Sequence, residues 1–197
     1  LTKRLVNLDA FMDRHFNAIN RHLAYAEFGF LVVFAVAVPK LQVYLFRRTS
    51  VDLNLNHMTA ANGFPEMLAE WMDAGWVKFN QSKRQFVFWN GATIHLCHCE
   101  HEKNKINYQG AEIHVLLIDE LTHFTESIYR YLRARCRLGG LKDAIPDQYK
   151  GLLPLILCGA NPGGVGHSFV KKTFIDPVAP LSITRQTADE GGMLRQY

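Results

Sequence analysis

The chain has 197 residues, 48% of them hydrophobic, a formal charge of +4 with nine histidines, and four cysteines. That length fits one substantial core and would cramp a two-domain enzyme, and the charge is too modest to define a nucleic-acid binder by itself. Cys97 and Cys99 lie too close along one extended segment to pair with each other, so no disulfide framework is expected, and reduced thiols point to a cytosolic compartment.

Leu5, Leu8, Met12, His15, Phe16, Ile19 and Leu23 recur at helical spacing, which predicts an amphipathic helix over residues 3–26. The apolar run 28–46 is interrupted by Pro39 and Lys40, and its uninterrupted part is too short to cross a bilayer. It therefore reads as core, with one buried strand over 32–38 and a second over 41–46 that ends in Arg47, Arg48 and Thr49. Pro65, Glu66 and the apolar Met67, Leu68, Trp71 and Met72 before Gly75 predict a short helix over 65–75. Segments 77–79, 85–89 and 93–99 read as an antiparallel meander within 77–101, with Asn90-Gly91 as a tight hairpin turn.

Residues 113–118 form a continuous aliphatic run apart from His114, the pattern of a central parallel strand covered on both faces. A helix over 126–138, ended by Gly139-Gly140, a second buried strand over 152–158, a loop over 159–166 and a short helix over 167–174 follow. The stretch 177–197 reads as an irregular tail. Alternation of strand and helix makes the fold α/β, with a mainly parallel central sheet and a β-rich meander, in a single domain.

In an open parallel sheet, ligands gather beyond the carboxyl ends of the strands, where helix amino termini point free N–H groups outward. Asp119 and Glu120 follow the aliphatic run at that end. Adjacent carboxylates there suit nucleotide hydrolysis: the Asp holds the water shell of Mg²⁺, and the Glu orients and deprotonates the attacking water. The plainer alternative is a strand ending in solvated acids. Asn161 closes the second buried strand, before Pro162, Gly163, Gly164 and Gly166; an amide there can feel a terminal phosphate, and it equally suits a Pro/Gly turn.

Two other groups invite a functional reading. His95, Cys97, Cys99 and His101 alternate along one strand, as in a small zinc-binding module, yet a straight strand spreads alternate residues by nearly 7 Å per step, too far for four ligands to reach one ion. Arg130, Arg133, Arg135 and Arg137 make a basic helix, read either as solvated charge or as residues lining a nucleic-acid channel. Arg47, Arg48 and Thr49 at a strand end are candidates for phosphate or adenine contact, with core-facing structural arginines as the alternative.

The order Tyr108-Gln109-Gly110, Leu117-Ile118-Asp119-Glu120-Leu121-Thr122-His123-Phe124, Tyr129-Arg130-Tyr131-Leu132-Arg133 and Ala160-Asn161-Pro162-Gly163-Gly164, with Arg47-Arg48-Thr49 upstream, resembles the ATPase domain of tailed-phage terminase large subunits over residues 41–176. The resemblance implies a P-loop NTPase fold of the ASCE type. It makes Asp119 and Glu120 the Walker B aspartate and catalytic glutamate, Asp119 reaching Mg²⁺ through water. Asn161 would lie in the motif coupling hydrolysis to movement. It further implies ATP as the nucleotide, double-stranded DNA as the substrate moved into a procapsid, a small terminase subunit and a portal protein as partners, a homo-oligomeric ring, no membrane, and a place in the host cytoplasm at the portal.

Two departures accompany that likeness. The phosphate loop Gly-x4-Gly-Lys-Ser/Thr should precede the strand ending at Phe46, and no Gly-Lys dipeptide occurs in the sequence. Weak ATP binding is the expectation, and a non-catalytic chain with an incomplete nucleotide site is the competing reading. Nothing after Asp176 can hold the family's nuclease domain, so DNA cleavage is not expected.

Overall fold

The computed structural model describes residues 26–177, 179, 182–185 and 194–196. The amphipathic helix expected over 3–26 falls almost wholly outside them. The first described element, α1 (Ala26–Ala37), corrects the expected strand over 32–38. Four valines at 32, 33, 36 and 38 favour a strand locally, but an apolar run with no polar face also suits a helix buried nearly all round. Leu31, Val32, Phe34 and Ala35 are buried. The Asn90 side-chain amide donates to the last-turn carbonyls of Ala35 and Val36, at 2.8 and 3.0 Å.

After the turn at Pro39-Lys40 the chain enters β1 (Gln42–Arg47). Then come α2 (Ser50–His57), α3 (Phe64–Met67) and α4 (Ala69–Asp73), so the single helix expected over 65–75 is two short helices broken at Leu68. The meander is β2 (Val77–Asn80), β3 (Gln85–Phe88) and β4 (Thr93–His98), with Gly91 at φ +82° in the turn. β5 (Val115–Ile118), α5 (Glu126–Arg133), β6 (Leu155–Cys158) and α6 (His167–Val170) complete the main body. α5 stops well short of the expected residue 138, because the chain beyond Arg133 turns to bring Cys136 beside Ile113. The tail is not wholly irregular: β7 (Ile183–Arg185) and β8 (Leu194–Gln196) pair antiparallel.

Six strands form one mixed sheet in the order β2-β3-β4-β1-β5-β6. The β4, β1, β5 and β6 neighbours are parallel; β2-β3 and β3-β4 are antiparallel. The meander therefore extends the parallel sheet through β4. β5 is central and buried at every residue, and alternation divides it: Val115 and Leu117 join the core containing α1, while Leu116 and Ile118 join the core containing Ile128 and Leu132 of α5. Among the described residues β6 pairs only with β5, and its four apolar residues are all half-buried.

Candidate functional site at the carboxyl rim of the sheet

Parallel register brings the ends of three strands level. Phe46 lies opposite Ile118, and Ile118 opposite Cys158. Ladder bonds continue one step beyond, from Asp119 N–H to the Phe46 carbonyl at 2.9 Å and from Gly159 N–H to the Ile118 carbonyl at 3.0 Å. Arg47, Asp119 and Gly159 thus stand at one rim.

Strand parity sets which side chains meet there. Arg47 follows Leu45 by two residues and Asp119 follows Leu117 by two, so both belong to the α1 face of the sheet. Arg47 Nε donates to Asp119 Oδ2 at 2.7 Å. Arg48, one residue on, points elsewhere and donates to the His123 carbonyl. Thr49 is the N-cap of α2, where Oγ1 accepts from Asp52 N–H at 3.0 Å and donates to Asp52 Oδ2 at 2.7 Å. Of the three residues picked out for phosphate or adenine contact, Arg47 is engaged by a carboxylate, Arg48 by a backbone carbonyl and Thr49 by its own helix.

α2 also delivers a residue that the sequence reading passes over. Leu53 and His57, four residues apart on one helix face, are its buried side chains. The His57 ring lies near Phe64, and Nε2 is 3.1 Å from Asp119 Oδ2. Burial raises the Asp119 pKa, but the hydrogen bonds from His57 and Arg47 outweigh it and hold the carboxyl below its ordinary value. Among the described residues both hydrogen bonds to this carboxylate go to Oδ2 and none to Oδ1. The only signal for His57 in the sequence is its spacing from Leu53, which says "buried" but not "beside Asp119".

Glu120 takes a left-handed backbone conformation, φ +60° and ψ +58°, which swings it out of strand alternation. Its side chain meets Asn161: the amide Nδ2 donates to Oε1 at 2.8 Å, and the Asn161 N–H approaches Oε2 at 3.3 Å. The surrounding loops are laced together. Leu121 N–H donates to the Gly159 carbonyl, Gly166 N–H to the Thr122 carbonyl, and the Thr122 hydroxyl to the Asn161 carbonyl, all at 2.8 Å. Asp119, Glu120 and Asn161 are thus brought together at one rim, in two subgroups: Asp119 with Arg47 and His57, Glu120 with Asn161.

The other groups lie elsewhere and have other partners. His95 stacks on Tyr44 with ring centroids 4.3 Å apart and shares hydrogen bonds with Thr93 and Gln42. Burial pushes the Cys97 thiol up to about 12 and the Cys99 thiol to about 11. Among the described residues no three His, Cys, Asp or Glu side chains are grouped to hold a metal ion. Arg130 pairs with Glu126, Arg133 and Arg135 lie over Tyr129 and Tyr131, and Arg137 reaches the Gly110 carbonyl. No helix among the described residues is long and apolar enough to cross a membrane.

Fold and rim together define an α/β protein with an acidic site at the carboxyl edge of a mostly parallel sheet. The chain belongs to the phage terminase large subunits: the family model for the N-terminal region of the T4likevirus-type terminase large subunit matches residues 26–145. That stretch contains Arg47, His57, Asp119 and Glu120, and ends before β6 and Asn161. A comparison with curated proteins finds no match.

Proposed function

We propose that this chain is the ATP-hydrolysing motor part of a DNA-packaging terminase large subunit, with the catalytic half of its nucleotide site at the rim. The observation carrying the reading is the juxtaposition of Asp119 and Glu120 at the end of a buried parallel strand, with Asn161 from the loop after β6 on the glutamate. When bound, Mg²⁺ would screen phosphate charge and orient the nucleotide; a single carboxylate working through water is the usual protein share of such a site, and Oδ1 of Asp119, which accepts no hydrogen bond among the described residues, fits that share. Glu120 would take the proton of the attacking water. Asn161 would follow the state of Glu120 and the terminal phosphate and pass it to the laced loops. DNA, a small subunit, a portal protein and a ring of like subunits are the partners that this reading requires.

The reading extends to the fold type. α1 ends at Ala37 and β1 begins at Gln42, so the helix runs back along the sheet and starts level with the rim. Twelve helical residues span about 18 Å and six strand residues about 20 Å. A helix start at the rim supports a P-loop NTPase arrangement, in which the phosphate loop opens a helix at the carboxyl edge of a parallel sheet. The sequence has no Gly-Lys for that loop, which favours the second reading, a terminase chain with an incomplete nucleotide site.

Calorimetric titration with ATP separates the two. The motor reading predicts weak binding, roughly millimolar, because the sequence holds no Gly-Lys to contact the phosphates, and that binding requires Mg²⁺ and is lost in Asp119→Asn. Binding of equal strength with and without Mg²⁺, or none at millimolar ATP, contradicts it.

A further inference from the structure

His57 is 2% exposed, and its Nε2 faces a carboxylate oxygen 3.1 Å away. An ionised carboxylate only accepts, so Nε2 carries the proton and donates. The ring is held on several sides: Leu53 precedes it on the buried face of α2, Phe64 lies beside it, and Gly63 packs so closely on the His57 carbonyl that a Cβ there would sit 2.9 Å from that oxygen. Arg47 Nε reaches the same Oδ2 from β1.

We propose that His57 is a positioning residue for Asp119, holding Oδ2 together with Arg47 so that Oδ1 is presented to a divalent cation at the rim. A single donor lets a carboxylate swing about its χ2 torsion. Two donors on one oxygen, from β1 and from the end of α2, fix the plane and decide which oxygen is left over. Arg47, on this account, acts through Asp119 and not as a phosphate contact. Asp119 sits at 17% side-chain exposure, accessible enough to meet a hydrated ion and buried enough for its partners to matter. The inference rests on the reading of Asp119 as the cation's carboxylate.

The test uses the whole chain and Mn²⁺ with ATP, with free Mn²⁺ read by electron paramagnetic resonance. His57→Gln keeps an N–H donor at nearly the same reach, while His57→Phe fills the ring volume without one. Expected is a Mn²⁺ affinity roughly tenfold weaker in His57→Phe and within a factor of about three of the parent in His57→Gln. A structural role alone would lower the melting temperature of both variants without separating their affinities below it. Equal Mn²⁺ affinity in the parent and His57→Phe overturns the positioning role and leaves Asp119 as a cation ligand. No Mn²⁺ binding by the parent overturns the ligand assignment and this role with it. Should His57→Phe not fold, the imidazole ¹⁵N resonances of the parent decide: a protonated Nε2 signal that shifts on adding Mg²⁺ and ATP supports the role, and one that stays fixed overturns it.

Discussion

Asn161 holds Glu120 from both its side chain and its backbone, at 2.8 and 3.3 Å, across a sequence separation of 41 residues. The grip matters because Glu120 is a non-glycine residue at positive φ, a conformation that costs on the order of 1–3 kcal/mol and needs outside support. Asn161→Ala removes the side-chain donor and should cut ATP turnover by on the order of 10- to 100-fold, since it misplaces the base and removes the amide that follows the terminal phosphate. Asn161→Asp should be worse, because a second carboxylate replaces the donor. Steady-state kinetics at saturating Mg-ATP checks both.

Gly166 lets the 159–166 loop close on the segment after Glu120. A Cβ on Gly166 would collide with the Phe124 carbonyl and the Phe169 ring, and one on Gly164 with the Thr122 carbonyl. Gly110, at φ +85°, has nothing within 4 Å of the same position. Gly110→Ala should therefore cost only its backbone strain, about 1 kcal/mol, and Gly166→Ala at least twice that, with loss of the Gly166 to Thr122 hydrogen bond. Urea denaturation of the two variants compares them directly.

Much of this rim was legible in the sequence, and the reason lies in particular residues. The run from Val115 to Ile118 reads as a strand covered on both faces, and the Asp-Glu after it falls at that strand's carboxyl end, where β5 places it. Asn90-Gly91 announced the hairpin between β3 and β4. The stretch before Pro39 misled because four valines outweigh one local propensity with another, and only packing chooses between them. β6 begins at Leu155, later than the expected 152, just after Pro154, which has no N–H to give a ladder. His57 was out of reach for a different reason: its meeting with Asp119 depends on where α2 lands over the sheet, a consequence of the β1-β5 register and not of any local pattern.

Thr49 tests the division between site and scaffold. As the N-cap of α2 it sets the helix that carries His57. Thr49→Ala should destabilise the fold by about 1 kcal/mol and Thr49→Ser by little, because serine keeps the capping oxygen. Thermal unfolding followed by circular dichroism measures it, and a nucleotide-contact role would instead show as lost ATP affinity at unchanged stability.

His95 should make stability depend on pH. Burial first, then the charge of Lys83, lower its pKa to about 4, against about 6.5 in the unfolded chain. Above about 6.5 both states are neutral there. As pH falls towards 4 the unfolded chain takes up a proton that the folded chain refuses, so stability drops through that window and the drop ends below it. With His95 partly solvent-accessible, the loss should be roughly 1–2 kcal/mol. Subtracting the unfolding free energies of His95→Gln from those of the parent, pH by pH, isolates it from the other histidines.

In the proposed motor Glu120 is the group that activates water. The decisive measurement is ATP hydrolysis by the chain at saturating Mg-ATP, with DNA and the small terminase subunit present, against Glu120→Gln under the same conditions. Glu120→Gln keeps the size of the side chain and its place beside Asn161 but cannot accept the proton, so turnover should fall by on the order of 100-fold or more with Mg-ATP binding retained. Equal turnover in the two proteins, or none in the parent, would contradict it.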